Sequence, residues 1–102
     1  MRLGRGRFHD LIERQLDLFA ADAATLMAEA AEADAACTNA GAEDSEELFG
    51  DYQLVVDTIG ERLYDVREAY AASLDEHTAD EYRTAFNSRA GKRFGRLAAF
   101  LE

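Results

Sequence analysis

Apolar residues recur at steps of three and four in three long stretches of this chain, residues 7–36, 45–75 and 79–101. Such spacing places the apolar side chains along one face of an α-helix. Each stretch therefore predicts one long amphipathic helix, and the pattern is clearest in the second. The apolar positions are Phe8, Ile12, Phe19, Ala23, Leu26, Ala30 and Ala33 in the first stretch, Tyr52, Val55, Val56, Ile59, Leu63, Val66 and Tyr70 in the second, and Tyr82, Phe86, Ala90, Phe94, Leu97 and Leu101 in the third.

Two short polar breaks separate the predicted helices. Asn39 and Gly41 follow the first stretch, and both residue types accept the left-handed backbone that often ends a helix. Thr78 and Glu81 open the third stretch in the order T-A-D-E, a capping box in which each side chain satisfies a backbone N–H of the other residue. We therefore expect the third helix to begin directly after Thr78.

The short connections predict an elongated antiparallel three-helix bundle of up-down-up order, because helices joined by few residues run antiparallel. A helix of about 30 residues is about 45 Å long. We expect one domain spanning residues 1–102, with a flexible start at residues 1–6. Its long helix faces would allow assembly into a larger helical oligomer, and Leu18 and Leu54 add apolar side chains off the main faces.

The composition agrees with an all-α fold. The chain has no Pro and 20 Ala, ten of them within residues 20–36, and Ala is the strongest helix former. A single cysteine, Cys37, leaves no partner for an internal disulfide. No apolar run reaches the roughly 18 to 20 residues that a membrane span needs, and no signal-peptide pattern follows Met1. These features predict a cytoplasmic protein.

The net charge of −10 is unevenly distributed. Residues 17–81 carry 18 acidic residues against two arginines, whereas residues 82–102 carry five basic residues against Glu102 alone. A charge of this size disfavours nonspecific binding to nucleic acid and to anionic membranes. We therefore expect a protein partner or a homo-oligomer, and neither a membrane nor nucleic acid.

Two carboxylate pairs are the clearest candidates for metal chemistry. Glu13 and Asp17 in ERQLD, and Glu61 and Asp65 in ERLYD, stand four residues apart and share a helix face. Carboxylate oxygens of this kind suit hard cations. At about 100° per residue, however, both pairs lie opposite the apolar faces. Because charged outer faces are ordinary, this placement predicts solvated surface acids and no metal site.

An E-x-x-x-D motif on the surface of a three-helix unit of this length resembles one repeat of the PhoU-type phosphate-signalling regulators. That family usually has two such repeats per chain, where this sequence has one. The resemblance implies, as an alternative function, a metal- or phosphate-linked regulator that would hold its metal at Glu13, Asp17, Glu61 and Asp65.

Four cations, Arg89, Lys92, Arg93 and Arg96, form a row beside the apolar face of the third predicted helix. One interpretation is neutralisation within the chain, because an up-down-up bundle brings this row near acids of the first two helices. Cations are also favourable near the end of a helix. The other interpretation is binding of an acidic protein, a phosphate-bearing ligand or nucleic acid. The acids expected near the row are Glu29, Glu32, Asp34, Glu43, Asp44, Glu46 and Glu47.

Gly91 and Gly95 stand four residues apart within the third predicted helix, where each glycine costs about 1 kcal/mol relative to alanine. Close approach of a helix from a second subunit would offset that cost. The alternative is a tolerated weakness near the end of the chain. The predicted interaction residues are therefore Arg89, Gly91, Lys92, Arg93, Gly95 and Arg96.

The remaining reactive residues form no catalytic pattern. His9 and His77 are too few for a histidine-rich metal site, and Cys37 has no histidine near it in the sequence. Gly4 and Gly6 lack the preceding strand and the following Gly-Lys-Ser/Thr of a phosphate loop. The sequence thus predicts a small acidic interaction or regulatory protein with no catalytic activity and no cofactor.

Overall fold

The computed structural model describes residues 6–101, leaving aside the side chain at position 42. These residues measure 53 × 26 × 21 Å, an elongated shape. The all-α prediction is confirmed, whereas the prediction of three helices is wrong. The flexible start predicted at residues 1–6 lies outside the described residues except for Gly6. The helices are α1 (His9–Asp22), α2 (Ala24–Asn39), α3 (Ala42–Ala71), α4 (Glu76–Phe94) and a 3₁₀ helix at Gly95–Leu101.

The first predicted helix is divided at Ala23, which departs from helical geometry with φ −100° and ψ 16°. The break has neither a glycine nor a proline, and the N–H of Ala23 still donates to the Phe19 carbonyl at 2.8 Å. Its reason is tertiary: α1 packs mainly against α4, whereas α2 packs mainly against α3. The bend at the buried Ala23 lets each half follow its own neighbour.

The connection between α2 and α3 is extended and contains no left-handed residue. Ala40 has φ −77° and Gly41 has φ −75°, so the prediction of left-handed backbone at Asn39 and Gly41 is wrong. Within residues 6–101, positive φ occurs at Gly95 alone. The Gly41 carbonyl accepts from the N–H groups of Asp44 and Ser45, which starts α3 three residues before the predicted position.

Asp75, and not Thr78, caps α4. Its Oδ1 accepts from the Thr78 N–H and its Oδ2 from the Thr78 hydroxyl, both at 2.9 Å. These hydrogen bonds hold the pKa of Asp75 below its ordinary value. The helix therefore begins at Glu76, and Thr78 occupies the third helical position of the capping motif.

The last predicted helix does not continue to Leu101. It ends at Phe94, because Gly95 adopts φ 57° and ψ −127°. The Asn87 side chain donates to the Leu101 carbonyl at 3.2 Å. In a continuous helix these residues would be about 21 Å apart along the axis. The chain therefore folds back at Gly95, and the 3₁₀ helix returns along α3 and α4.

The core lies between α1, α3 and α4, with Tyr82 at its centre. The Tyr82 ring meets Phe8 and Tyr70 with centroids 5.4 and 4.9 Å apart. Its hydroxyl donates to Gln15 Oε1 at 2.8 Å, and burial raises the pKa of Tyr82 to about 12. Leu16, one turn after Ile12, completes the predicted face of the first helix. The largest fully buried side chains are Ile12, Leu16, Ile59, Leu63, Tyr82 and Phe86.

Candidate interaction surfaces

Two ion pairs of the cationic row join α4 to α1. Arg89 Nε lies 2.7 Å from Glu13 Oε2, and Arg93 Nη1 lies 2.6 Å from Asp17 Oδ1. Both helices advance by four residues between the pairs, so α1 and α4 run parallel in register. Glu13 was expected among solvated acids, but its side chain is 32% exposed because the α4 arginine covers it.

Arg96 pairs with Asp34 of α2, one of the acids expected near the row, at 3.3 Å. Its guanidinium also lies over the Tyr52 ring, 5.3 Å from the centroid. Both contacts border a crevice of about 230 Å³ between α2, α3 and the 3₁₀ helix. Lys92 is exposed, and within residues 6–101 no carboxylate forms an ion pair with it. Three of the four cations are thus neutralised within the chain.

The two predicted interface glycines differ in their surroundings. Gly91 lies inside α4, and a Cβ added there would meet no side chain or distant backbone atom within 4 Å. Gly95 ends the helix and supplies the positive φ at which the chain reverses. Its role is therefore the turn, a role that the spacing alone did not indicate. A contact between subunits at Gly91 and Gly95 stays a prediction.

The four carboxylates of the metal alternative are not gathered into one site. Glu13 and Asp17 face arginines of α4, while Glu61 and Asp65 are exposed on α3. Among residues 6–101, no group of three or more His, Cys, Asp or Glu side chains is placed to hold a metal ion.

The half-buried Cys37 contacts chain atoms of the next helix. Its Sγ lies 3.8 Å from the Ser45 carbonyl, across the α2–α3 connection. This position agrees with a small, partly buried residue at the end of the apolar face.

A buried arginine that the sequence analysis did not single out joins α3 to α4. Arg67 is 8% exposed, and its Nη1 donates to Asn87 Oδ1 at 2.8 Å. Its Nε donates to Glu68 at 2.9 Å, and Glu68 accepts two further bonds from Arg83, at 2.8 and 2.9 Å. These bonds, above all those from Arg83, hold the pKa of Glu68 below its ordinary value. The spacing gave no sign of this network, because its members come from two helices.

Three exposed aromatic side chains follow one edge of α3, and we call Phe49, Tyr64 and Phe100 the aromatic edge. They are 56%, 43% and 48% exposed. Phe49 and Tyr64 lie within about 60° of each other around the helix axis and about 22 Å apart along it. Phe100 of the 3₁₀ helix meets Tyr64 edge-on, with ring centroids 6.2 Å apart. Tyr64 and Phe100 are therefore adjacent on two elements, and Phe49 lies on the same side of α3 about four turns earlier.

Contacts beneath the strip fix the rings. The Arg67 guanidinium lies 4.9 Å from the centroid of Tyr64, so the buried network supports this ring from below. Phe49 leans on Tyr52 with centroids 6.3 Å apart. Two other large apolar side chains, Leu18 on α1 and Leu54 on α3, are also exposed, at 61% and 67%. Leu54 lies about 80° around the helix axis from Tyr64.

No helix within residues 6–101 is long and apolar enough to cross a membrane. A scan against protein-family models found no match, and neither the curated proteins nor the solved structures yielded a similar protein.

Proposed function

We propose that this protein is a small acidic interaction or regulatory protein without catalytic activity, and that it binds a protein partner through the aromatic edge. The observation that carries the proposal is the exposure of Phe49, Tyr64 and Phe100 in a row on a folded domain. Tyr64 and Phe100 are also in ring contact, whereas the exposed Leu18 lies on another helix.

Aromatic residues support such a role for a physical reason. Tyr and Phe are enriched in the buried centres of protein interfaces, because each ring removes a large apolar area from water at a low cost in side-chain entropy. The rings here are held by contacts with Tyr52, Arg67 and Gly60, so little ordering would remain for a partner to impose.

The metal- or phosphate-linked alternative has less support. Binding a metal at Glu13 and Asp17 would require both to leave Arg89 and Arg93, which join α1 to α4. The proposal therefore assigns these four residues to stability. A cytoplasmic location, with the single Cys37 kept as a thiol, belongs to the same proposal.

Selection of peptides from a random display library tests the function. We expect selected peptides to lose binding to the Phe49→Ser and Tyr64→Ser variants. The matched control is Leu18→Ser, which removes an exposed apolar side chain on α1 and should retain binding. Circular dichroism and thermal unfolding establish that each variant is folded. A library that yields no ligand, or ligands that bind Phe49→Ser and Tyr64→Ser as tightly as wild type, would contradict the proposal.

A further inference from the structure

Building on the proposed function, we infer that the aromatic edge binds a basic amphipathic helix of another protein, and not a second copy of this chain. The edge supplies the apolar surface. The exposed acids beside the edge favour a positively charged partner. The chain's own cations are largely engaged in ion pairs within the chain, so a second copy would not supply that positive charge.

Exposed carboxylates line the outer side of the edge. Glu46 lies on the same line along α3 as Tyr64, and Asp57 and Glu61 lie within about 20° and 60° of that line. All three are exposed, and within residues 6–101 none forms an ion pair. Asp57 accepts a hydrogen bond from the neutral Gln53 side chain, at 3.0 Å. A partner seated on the rings would bring its flanking residues to these carboxylates.

A second copy of this chain offers few unpaired cations to bind those carboxylates. Six of the nine Lys and Arg residues that the structure describes are already paired with acids of the same chain, and the whole chain carries −10. The arginines paired within the chain are Arg7, Arg67, Arg83, Arg89, Arg93 and Arg96. Arg14, Arg62 and Lys92 form no ion pair within residues 6–101, and they lie on three different helices. Two copies joined at the edge would therefore place acidic faces together.

The length and shape of the edge fit a helix. The strip from Phe49 to Tyr64 is about 22 Å long, which matches about four turns of a partner helix. A helix with apolar residues at three- and four-residue steps would lay them along the rings. Lysines or arginines beside that apolar face would then reach Asp57 and Glu61. Charge pairing at such a rim makes association dependent on salt.

Fluorescence anisotropy with model peptides tests the inference on the full chain. The probe is a labelled peptide of about 18 residues, Leu and Lys at amphipathic helical spacing. Two matched probes are the same composition in scrambled order and the same pattern with Glu in place of Lys. We expect only the amphipathic Lys peptide to bind well, and Phe49→Ser to weaken it at least about tenfold.

Charge variants separate the edge from general attraction to an acidic protein. Asp57→Asn with Glu61→Gln should weaken binding at low salt and have less effect at high salt. Glu29→Gln with Glu32→Gln makes the same change in net charge on α2 and should have a clearly smaller effect. An equal loss in both double variants, or equal binding of the scrambled or Glu peptide, would overturn the inference.

Light scattering measures the oligomeric state and so tests whether a second copy occupies the aromatic edge. If the wild type is a dimer and Phe49→Ser converts it to a monomer, a second copy occupies the edge. That result would overturn the inference and leave the proposed function intact. Display peptides that depend on Phe49 but carry no basic residues would do the same. Absence of any ligand dependent on the edge would remove both proposals.

Discussion

Gly60 of α3 lies directly beneath the side chain of Phe100. A Cβ added at Gly60 would overlap the Phe100 Cβ and lie 2.9 Å from its Cγ. The missing side chain lets the 3₁₀ helix settle against α3 while Phe100 turns its ring edge-on to Tyr64. Within the described residues, Gly60 is therefore the glycine that permits close packing of two elements of the chain, and a subunit contact at Gly91 and Gly95 stays a prediction.

Gly60→Ala should destabilise the fold. The added methyl group collides with the root of a side chain, which cannot move without shifting the 3₁₀ helix. Overpacking of this kind costs about 1 to 3 kcal/mol, more than the roughly 1 kcal/mol gained in helix propensity. Urea unfolding measures the change. Gly50→Ala, also in α3 but with open space at its Cβ, should be stabilising instead. Equal stability of the two variants would contradict the overlap.

Gly95→Ala and Gly91→Ala should act in opposite directions. Alanine at residue 95 must adopt φ 57° with ψ −127°, a region that costs a non-glycine residue about 1 to 3 kcal/mol. Alanine at residue 91 meets no neighbour and raises helix propensity by about 1 kcal/mol. Thermal unfolding distinguishes the two. A stabilising Gly95→Ala would mean that α4 continues through residue 95 in solution.

Arg93→Glu should lower the melting temperature, and more so at low salt, because it places two carboxylates together where Arg93 now meets Asp17. Because both side chains are at least about one third exposed, the Arg93–Asp17 pair contributes only about 0.2 to 1 kcal/mol to the free energy of unfolding. Adding Asp17→Arg should restore most of the loss. If the melting temperature falls equally at low and high salt, the loss comes instead from packing of the Arg93 stem on the Phe94 ring.

Glu68→Gln should reduce stability near neutral pH by roughly 1 to 2 kcal/mol, because Arg67 and Arg83 would lose a charged acceptor. The pKa of Glu68 is lowered in the folded state, so its contribution is present above the ordinary glutamate pKa of about 4.3. The contribution is lost as pH falls through the lowered value. The difference in melting temperature between wild type and variant should therefore shrink in acid. A constant difference would contradict this coupling.

Glu61→Gln with Asp65→Asn should leave thermal stability and metal content unchanged, because both acids are exposed on α3. Elemental analysis of the purified protein measures metal directly. Stoichiometric iron, zinc or manganese in the wild type, lost in this double variant, would favour the metal-linked alternative.

The pattern of apolar positions was sufficient for helix content and for most of the core. Ile59, Leu63, Tyr82 and Phe86 are buried as the three- and four-residue spacing predicts, since burial of one face follows directly from helical periodicity. The aromatic edge could not be predicted in the same way. The spacing places Leu54 off the main face, but it gives no sign that Phe49, Tyr64 and Phe100 form one exposed strip. Phe100 meets Tyr64 only because the chain reverses at Gly95.

The sequence alone determined local properties, namely helix propensity, amphipathic faces and an acidic surface. Three features were decided by tertiary structure. The break at Ala23 arises because α1 and α2 pack on different neighbours, although alanine favours a continuous helix. Arg89 donates to Glu13, 76 residues earlier in the chain, and the three- and four-residue spacing within a helix carries no information about such a contact. The fold-back at Gly95 requires Gly60 to lie opposite Phe100, a relation between two helices that exists only once both are packed.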